Sequence, residues 1–346
     1  MRLFARKSGG LVFVAVSVGA LLGIAGNVGA QTTGYHLAKR YPIPGEGGWD
    51  YIAIDSDARR LYLSHGTRLE VLDADSGKVL GQIPDTPGVH GAAIAPELKR
   101  GFTSNGHDKS VTIFDTETLK TIKKVAVNKP DFILYDPLTE RVFPMTEKVT
   151  VLDATTGDKV GDLDLGGDPE SGVSDGKGTV YVNLADKKAL AVVDPKALTV
   201  TKTYPIDFCT SPHSLSFDSA NQRLFVGCRD GLAVLDATTG KVVGRSLICS
   251  GVDAGGFDPE SKLIFESCTE GVVSVVRQVS PDYYVLIDTV KTELSAKTMA
   301  FDPKTKKIFL PTAEFEIVPN SDPKSGSSYV RQVKPGTFVV LVLSKN

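Results

Sequence analysis

Apolar and polar positions alternate along most of this chain in short runs, and each run is closed by a polar turn. One unit reads YIAIDSDARRLYLSHGTRLEVLDADSGKVLGQIP from Tyr51. It predicts an apolar strand ending in Asp, a turn, a second strand, a short loop, a third strand ending in Asp, and a turn into a fourth strand. A second unit, SLSFDSANQRLFVGCRDGLAVLDATTGKVVGRSLI from Ser214, repeats the plan, and others begin near Gly91, Phe132, Ser171, Ala254 and Thr298. Their first strands end at Asp55, Ala95, Asp136, Asp175, Asp218, Asp258 and Asp302, at intervals of 39 to 44 residues. Third strands such as VLD, IFD and VVD end at Asp73, Asp115, Asp153, Asp194 and Asp236. In turns such as DATTGKV, Asp and Thr bond nearby backbone and Gly supplies positive φ.

Four strands per unit, about forty residues per repeat and seven units predict an all-β fold. The expected architecture is a seven-bladed β-propeller of four-stranded antiparallel blades, in preference to a linear β-solenoid. Ring closure can be tested within the sequence. AKRYPI (Ala38 to Ile43) precedes the first repeat and resembles TKTYPI (Thr201 to Ile206), the fourth strand of the fourth repeat. The last repeat ends with its third strand, GTFVVLVLS. The N-terminal strand is therefore expected to complete the last blade and remove the open sheet edges. Residues 31–346 form one domain in this reading.

Residues 1–30 are expected to be a secretory signal peptide. Arg2, Arg6 and Lys7 precede the apolar run LVFVAVSVGALLGIAG, and Val28-Gly29-Ala30 fits a small-residue cleavage site. The protein is then periplasmic or secreted, and no later stretch is apolar and long enough to span a membrane. Loss of those three cations lowers the formal net charge from −2 to −5. Without a basic run, nucleic-acid binding is not expected. A monomer is expected, with a small molecule or a protein as partner.

The repeats resemble the YVTN-repeat, YncE-like β-propellers. VYVNLADKKALAVVD (Val180 to Asp194) is close to that family's signature, whereas VFPMTEKVTVLD and GFTSNGHDKSVTIFD keep only its outline. The resemblance covers nearly all of residues 31–346 at repeat level. It implies fold and export more than any activity.

In a propeller, the loop leading into each inner strand lies on one face, beside the channel. The residue five before each inner-strand end is Asp50, His90, Asp131, Glu170, His213, Asp253 and Lys297. All seven are ionisable, and each His lies between two acids. Such crowded carboxylates raise one another's pKa unless a cation compensates. Carboxylates with His suit a divalent metal ion, or proton transfer near neutral pH with His90 and His213 as candidates. The alternative is that strand entrances are simply exposed and polar. His65, Asn105, His107, Asp108 and Arg229 fall in a second loop on the same face and read as solvated; His36 reads as peripheral.

The last repeat carries an insertion between Phe315 and Thr337, EIVPNSDPKSGSSYVRQVKPG. It reads either as a lid bearing Tyr329 and Arg331 or as a disordered excursion. The four cysteines form CysX18Cys twice, at equivalent positions of consecutive repeats. Equivalent geometry favours Cys209–Cys228 with Cys249–Cys268; the runner-up is Cys228–Cys249 with Cys209–Cys268. No CxxC or CxxCH occurs, so neither structural zinc nor haem is expected, and no nucleotide cofactor is expected.

Three functions follow from this reading. The leading one is a secreted propeller binding a small molecule or divalent ion at the ring. The second is a metal-dependent hydrolase or lyase of lactonase type using the same residues. The third is a protein-interaction scaffold. No GxSxG nucleophile motif is present.

Overall fold

An Asp at the end of an inner strand turns the chain back. In the computed structural model, Asp55 Oδ1 accepts the N–H groups of Asp57 (3.0 Å) and Ala58 (2.9 Å), and Asp218 Oδ1 does the same for Ala220 and Asn221. Ala95 cannot accept such bonds. There the turn is a short 3₁₀ helix, Pro96–Leu98, closed by Lys99 at φ 51°. The structure describes residues 33–45, 47–320 and 328–345. The expected signal peptide lies outside these.

The first blade comprises Ile52–Asp55, Arg60–His65, Arg68–Asp73 and Val79–Ile83, hydrogen-bonded in that order. Five further blades repeat this order, through Tyr283–Lys291. The seventh is built from both ends of the chain. Ala300–Phe301, Ile308–Thr312 and Val339–Lys345 are completed by Tyr35–Pro42, which pairs antiparallel to Val339–Lys345 with Tyr41 opposite Val340. The AKRYPI and TKTYPI likeness has a physical cause. Tyr41 and Tyr204 both lay their rings over the next blade's third turn, with hydroxyls donating to Asp75 O (2.9 Å) and Thr238 O (3.1 Å). A Cβ at Gly77 or Gly240 in those turns would sit 2.1 Å from the ring, and both glycines hold φ +73°.

The core lies in layers between neighbouring blades. Each second strand carries a buried aromatic at one equivalent position: Tyr62, Phe102, Phe143, Tyr181, Phe225, Phe265 and Phe309. The closing layer packs Ile52, Leu61 and Leu63 of the first blade against Phe309, Val340 and Val342 of the seventh. The inner-strand aspartates also latch blades together. Asp302 pairs with Arg59 (2.5 Å), Asp258 with Lys306 (2.9 Å), and Asp218 accepts from Gln278 (2.9 Å).

The disulfides are Cys209–Cys228 and Cys249–Cys268. No described helix is long and apolar enough to cross a membrane. The described part of the seventh-blade insertion is a β-hairpin, Phe315–Pro319 paired with Tyr329–Val333. Trp49 packs at its base against Phe315 and Phe338. The Arg331 guanidinium lies 4.2 Å from the centre of the Phe315 ring.

Candidate functional site

The sequence places each ionisable residue where its blade begins, and backbone irregularity aims several of them. His90, His213 and Asp253 fall where strand pairing slips, between Val89 and Gly91, Pro212 and Ser214, and Val252 and Ala254. Glu170 lies in a similar break between Pro169 and Gly172. A bulge of this kind re-aims one side chain. Neighbouring blades then hold the ring's carbonyls. Tyr51 N–H donates to His90 O (2.8 Å), Thr298 Oγ1 to Asp50 O (2.6 Å), and Ser171 Oγ to His213 O.

The seven residues divide into three groups. His90 Nδ1 lies 2.8 Å from Asp50 Oδ2 and 3.1 Å from Asp131 Oδ1. One ligand atom from each of these three residues falls within 4.8 Å of the others. Lys297 Nζ lies 2.8 Å from Asp253 and 3.9 Å from Asp50. His213 Nδ1 lies 3.1 Å from Glu170 Oε2, off hydrogen-bonding alignment. Its Nε2 accepts from Arg229 Nε at 3.1 Å.

Charge follows this geometry. The hydrogen bond to Asp50 raises the His90 pKa, with burial opposing and the Asp131 charge assisting. Burial and the charges of Asp50 and Glu170 push the Asp131 carboxyl up to about 6, against His90 and Lys297. Burial disfavours the Lys297 ammonium, yet Asp253, Asp50 and Asp131 outweigh it and raise its pKa. The crowding expected of these carboxylates is thus relieved partly by the ring's own cations.

Tyr51 was not signalled as a site residue by its type or spacing. Its hydroxyl reaches from the first blade to Glu170 O of the fourth at 3.1 Å, and its ring meets Phe132 edge-on at 5.6 Å. Burial and four surrounding carboxylates hold the phenol far above its ordinary pKa, so it stays a donor. Below it the channel holds a cavity of about 310 Å³, lined by inner-strand residues such as Ile94, Leu134, Leu215 and Met299. Of the seven ring residues, Asp253 lines it.

Two readings of the second loop are corrected. His65 is fully buried rather than solvated, packed on Phe338, with Arg68 Nη2 2.8 Å from its Nδ1. Asn105 is also buried, and its amide donates to Ser110 and Thr112. Arg229 is a partner of His213, as above. Asp108 pairs with Lys124 at 2.7 Å, His107 packs over Gly88, and His36 is exposed. Tyr329 and Arg331 do not line the channel cavity; Arg331 lines a separate cleft with Arg40 and Glu293.

No protein-family model matches the chain. No curated protein matches it in sequence. Solved structures do match in fold. A chain of the hydrazine synthase of Kuenenia stuttgartiensis is similar with a TM-score of 0.69 at 15% identity, covering 84% of this chain and 97% of that one. A chain of a mitotic checkpoint complex is similar with a TM-score of 0.70 at 13% identity, covering 90% and 95%. At such identities the likeness is one of fold: this chain is a seven-bladed β-propeller.

Proposed function

We propose that this protein is an exported, YVTN-like propeller that binds a cationic ligand at its ionisable ring. A divalent metal ion at Asp50, His90 and Asp131 is the ligand this donor set fits best. The observation that carries the reading is the convergence of one imidazole nitrogen and two carboxylates within 4.8 Å. An ion would stand where His90 Nδ1 now faces the two carboxylates. Imidazole with carboxylates suits zinc or manganese. The paired cysteines and the leader-like residues 1–30 support export.

Of the two histidines, His90 fits the ligand role. His213 is nearly buried, with Arg229 on one nitrogen and Glu170 facing the other. Calorimetric titration of chelator-treated protein with zinc and with manganese tests the reading. One saturable site, weakened at least tenfold in His90→Ala and in Asp131→Asn, is the expected result. Absence of saturable binding by either ion overturns it.

A further inference from the structure

The residues that follow the ring differ in bulk around the channel. They are Tyr51, Gly91 and Phe132 in the first three blades, then Ser171, Ser214, Ala254 and Thr298. Tyr51 crosses from the first blade to the fourth and rests against Phe132. That line covers the side of the mouth formed by blades two and three. In blades five to seven the residues at that level, Ser214, Ala254 and Thr298, are small and leave the less obstructed opening.

Asp253 stands at this opening. It belongs to the ring, lines the cavity, and keeps an ammonium, Lys297 Nζ, at 2.8 Å. Asp50 lies 3.9 Å from the same nitrogen. Beneath, the walls are largely apolar, with Ile94, Leu134, Leu215 and Met299 among them. An apolar cavity of about 150 Å³ accepts a benzene-sized molecule. A cavity of about 310 Å³ therefore has room for an apolar body of about ten heavy atoms. Its volume lies at the lower end of small-molecule pockets.

We infer that the channel is a binding site for a hydrophobic organic amine. The apolar body fills the cavity, and the ammonium sits at the mouth between Asp253 and Asp50, in the place Lys297 Nζ now takes. The two carboxylates around that position, Asp253 and Asp50, favour a cation over a neutral head group. Carboxylate ligands are disfavoured by the same acids. This site shares Asp50 with the His90 donor set but is centred on Asp253 and the cavity, and it needs no metal ion.

The test is calorimetry with 2-phenylethylamine, run in the presence of EDTA so that a metal ion plays no part. 2-Phenylethanol is the neutral control of matching shape. Saturable binding of the amine, at least tenfold tighter than the alcohol, is expected. Asp253→Asn preserves side-chain shape and should weaken the amine at least tenfold while leaving the alcohol unchanged. Ala254→Leu narrows the opening and should weaken both. Lys297→Met removes the competing ammonium and should tighten the amine several-fold. Failure of the amine to bind, or equal affinity for amine and alcohol, overturns the inference. So does unchanged amine affinity in Asp253→Asn.

Discussion

Arg229 Nε donates a 3.1 Å hydrogen bond to Nε2 of His213. An accepting Nε2 carries no proton, so the imidazole proton sits on Nδ1, facing Glu170. Nitrogen-15 NMR should therefore find His213 as the Nδ1–H tautomer. Arg229→Leu should restore the Nε2–H form usual for exposed histidines. An Nε2–H signal in the unaltered protein would show that the Arg229 contact does not hold.

The same arrangement separates the two ring histidines functionally. His213→Ala should leave metal affinity within about twofold, because no third ligand atom joins His213 and Glu170 among the described residues. His90→Ala should weaken it at least tenfold. Equal losses in both variants would mean that one ion is shared across the channel.

Metal affinity should also depend on pH with a definite sign. Protons and metal compete for the same atoms. Asp131 is pushed up to about 6 and His90 is raised by Asp50. As pH falls, His90 takes its proton first and Asp131 follows through about 6, so affinity drops. Titrations at pH 7.5 and 5.5 should differ by about tenfold or more, with proton release greater at the lower pH. Affinity that is flat across this range would exclude His90 and Asp131 as ligands.

Ring closure offers a sharp test on backbone. Gly77 holds φ +73°, and a Cβ there would lie 2.1 Å from the Tyr41 ring. Gly77→Ala adds a left-handed penalty of about 1 kcal/mol to that clash. Total loss should exceed about 2 kcal/mol in denaturant unfolding, since Tyr41 carries the strand that closes the propeller. Gly240→Ala should behave alike, through Tyr204. Gly176 is the control: its φ is +65° and nothing lies within 4 Å of its added Cβ. Gly176→Ala should cost only about 1 kcal/mol.

Particular residues show why the fold was legible in the sequence. The strand ends at Asp55, Asp218 and Asp302 mark the repeat because each accepts backbone N–H groups in a local turn. Tyr41 repeats Tyr204 because both do one job. Local chemistry recurs, so periodicity reveals it. The ring was legible as positions but not as partners. Nothing in the spacing distinguishes His90, which lies between two acids in space, from His213, which Arg229 occupies. Tyr51 was hidden for the same reason. Its partner, Glu170, is 119 residues away and is engaged through its backbone carbonyl, which no side-chain pattern records. His65 read as solvated because loop position alone does not show the Phe338 ring that covers it.

Glu266 carries the last prediction. It has no exposed surface, its Oε2 lies 2.5 Å from Ser214 Oγ, and its Oε1 has no hydrogen-bond partner. Gly255 directly opposite and Gly227 on the preceding blade leave room for the carboxyl; a Cβ at either would lie 2.7 Å from Oε2. Burial raises its pKa from 4.5 to about 8, with the Ser214 contact opposing. Between those values the folded protein holds a proton that the unfolded chain has lost. Stability therefore falls as pH rises from about 4.5 to about 8, and levels off above. Gln at this position keeps the shape and cannot ionise. Between pH 5 and 9, Glu266→Gln should lose this downward slope and gain on the unaltered protein by a few kcal/mol at pH 8. Parallel pH profiles for the two proteins would show that the carboxyl is charged and compensated when buried.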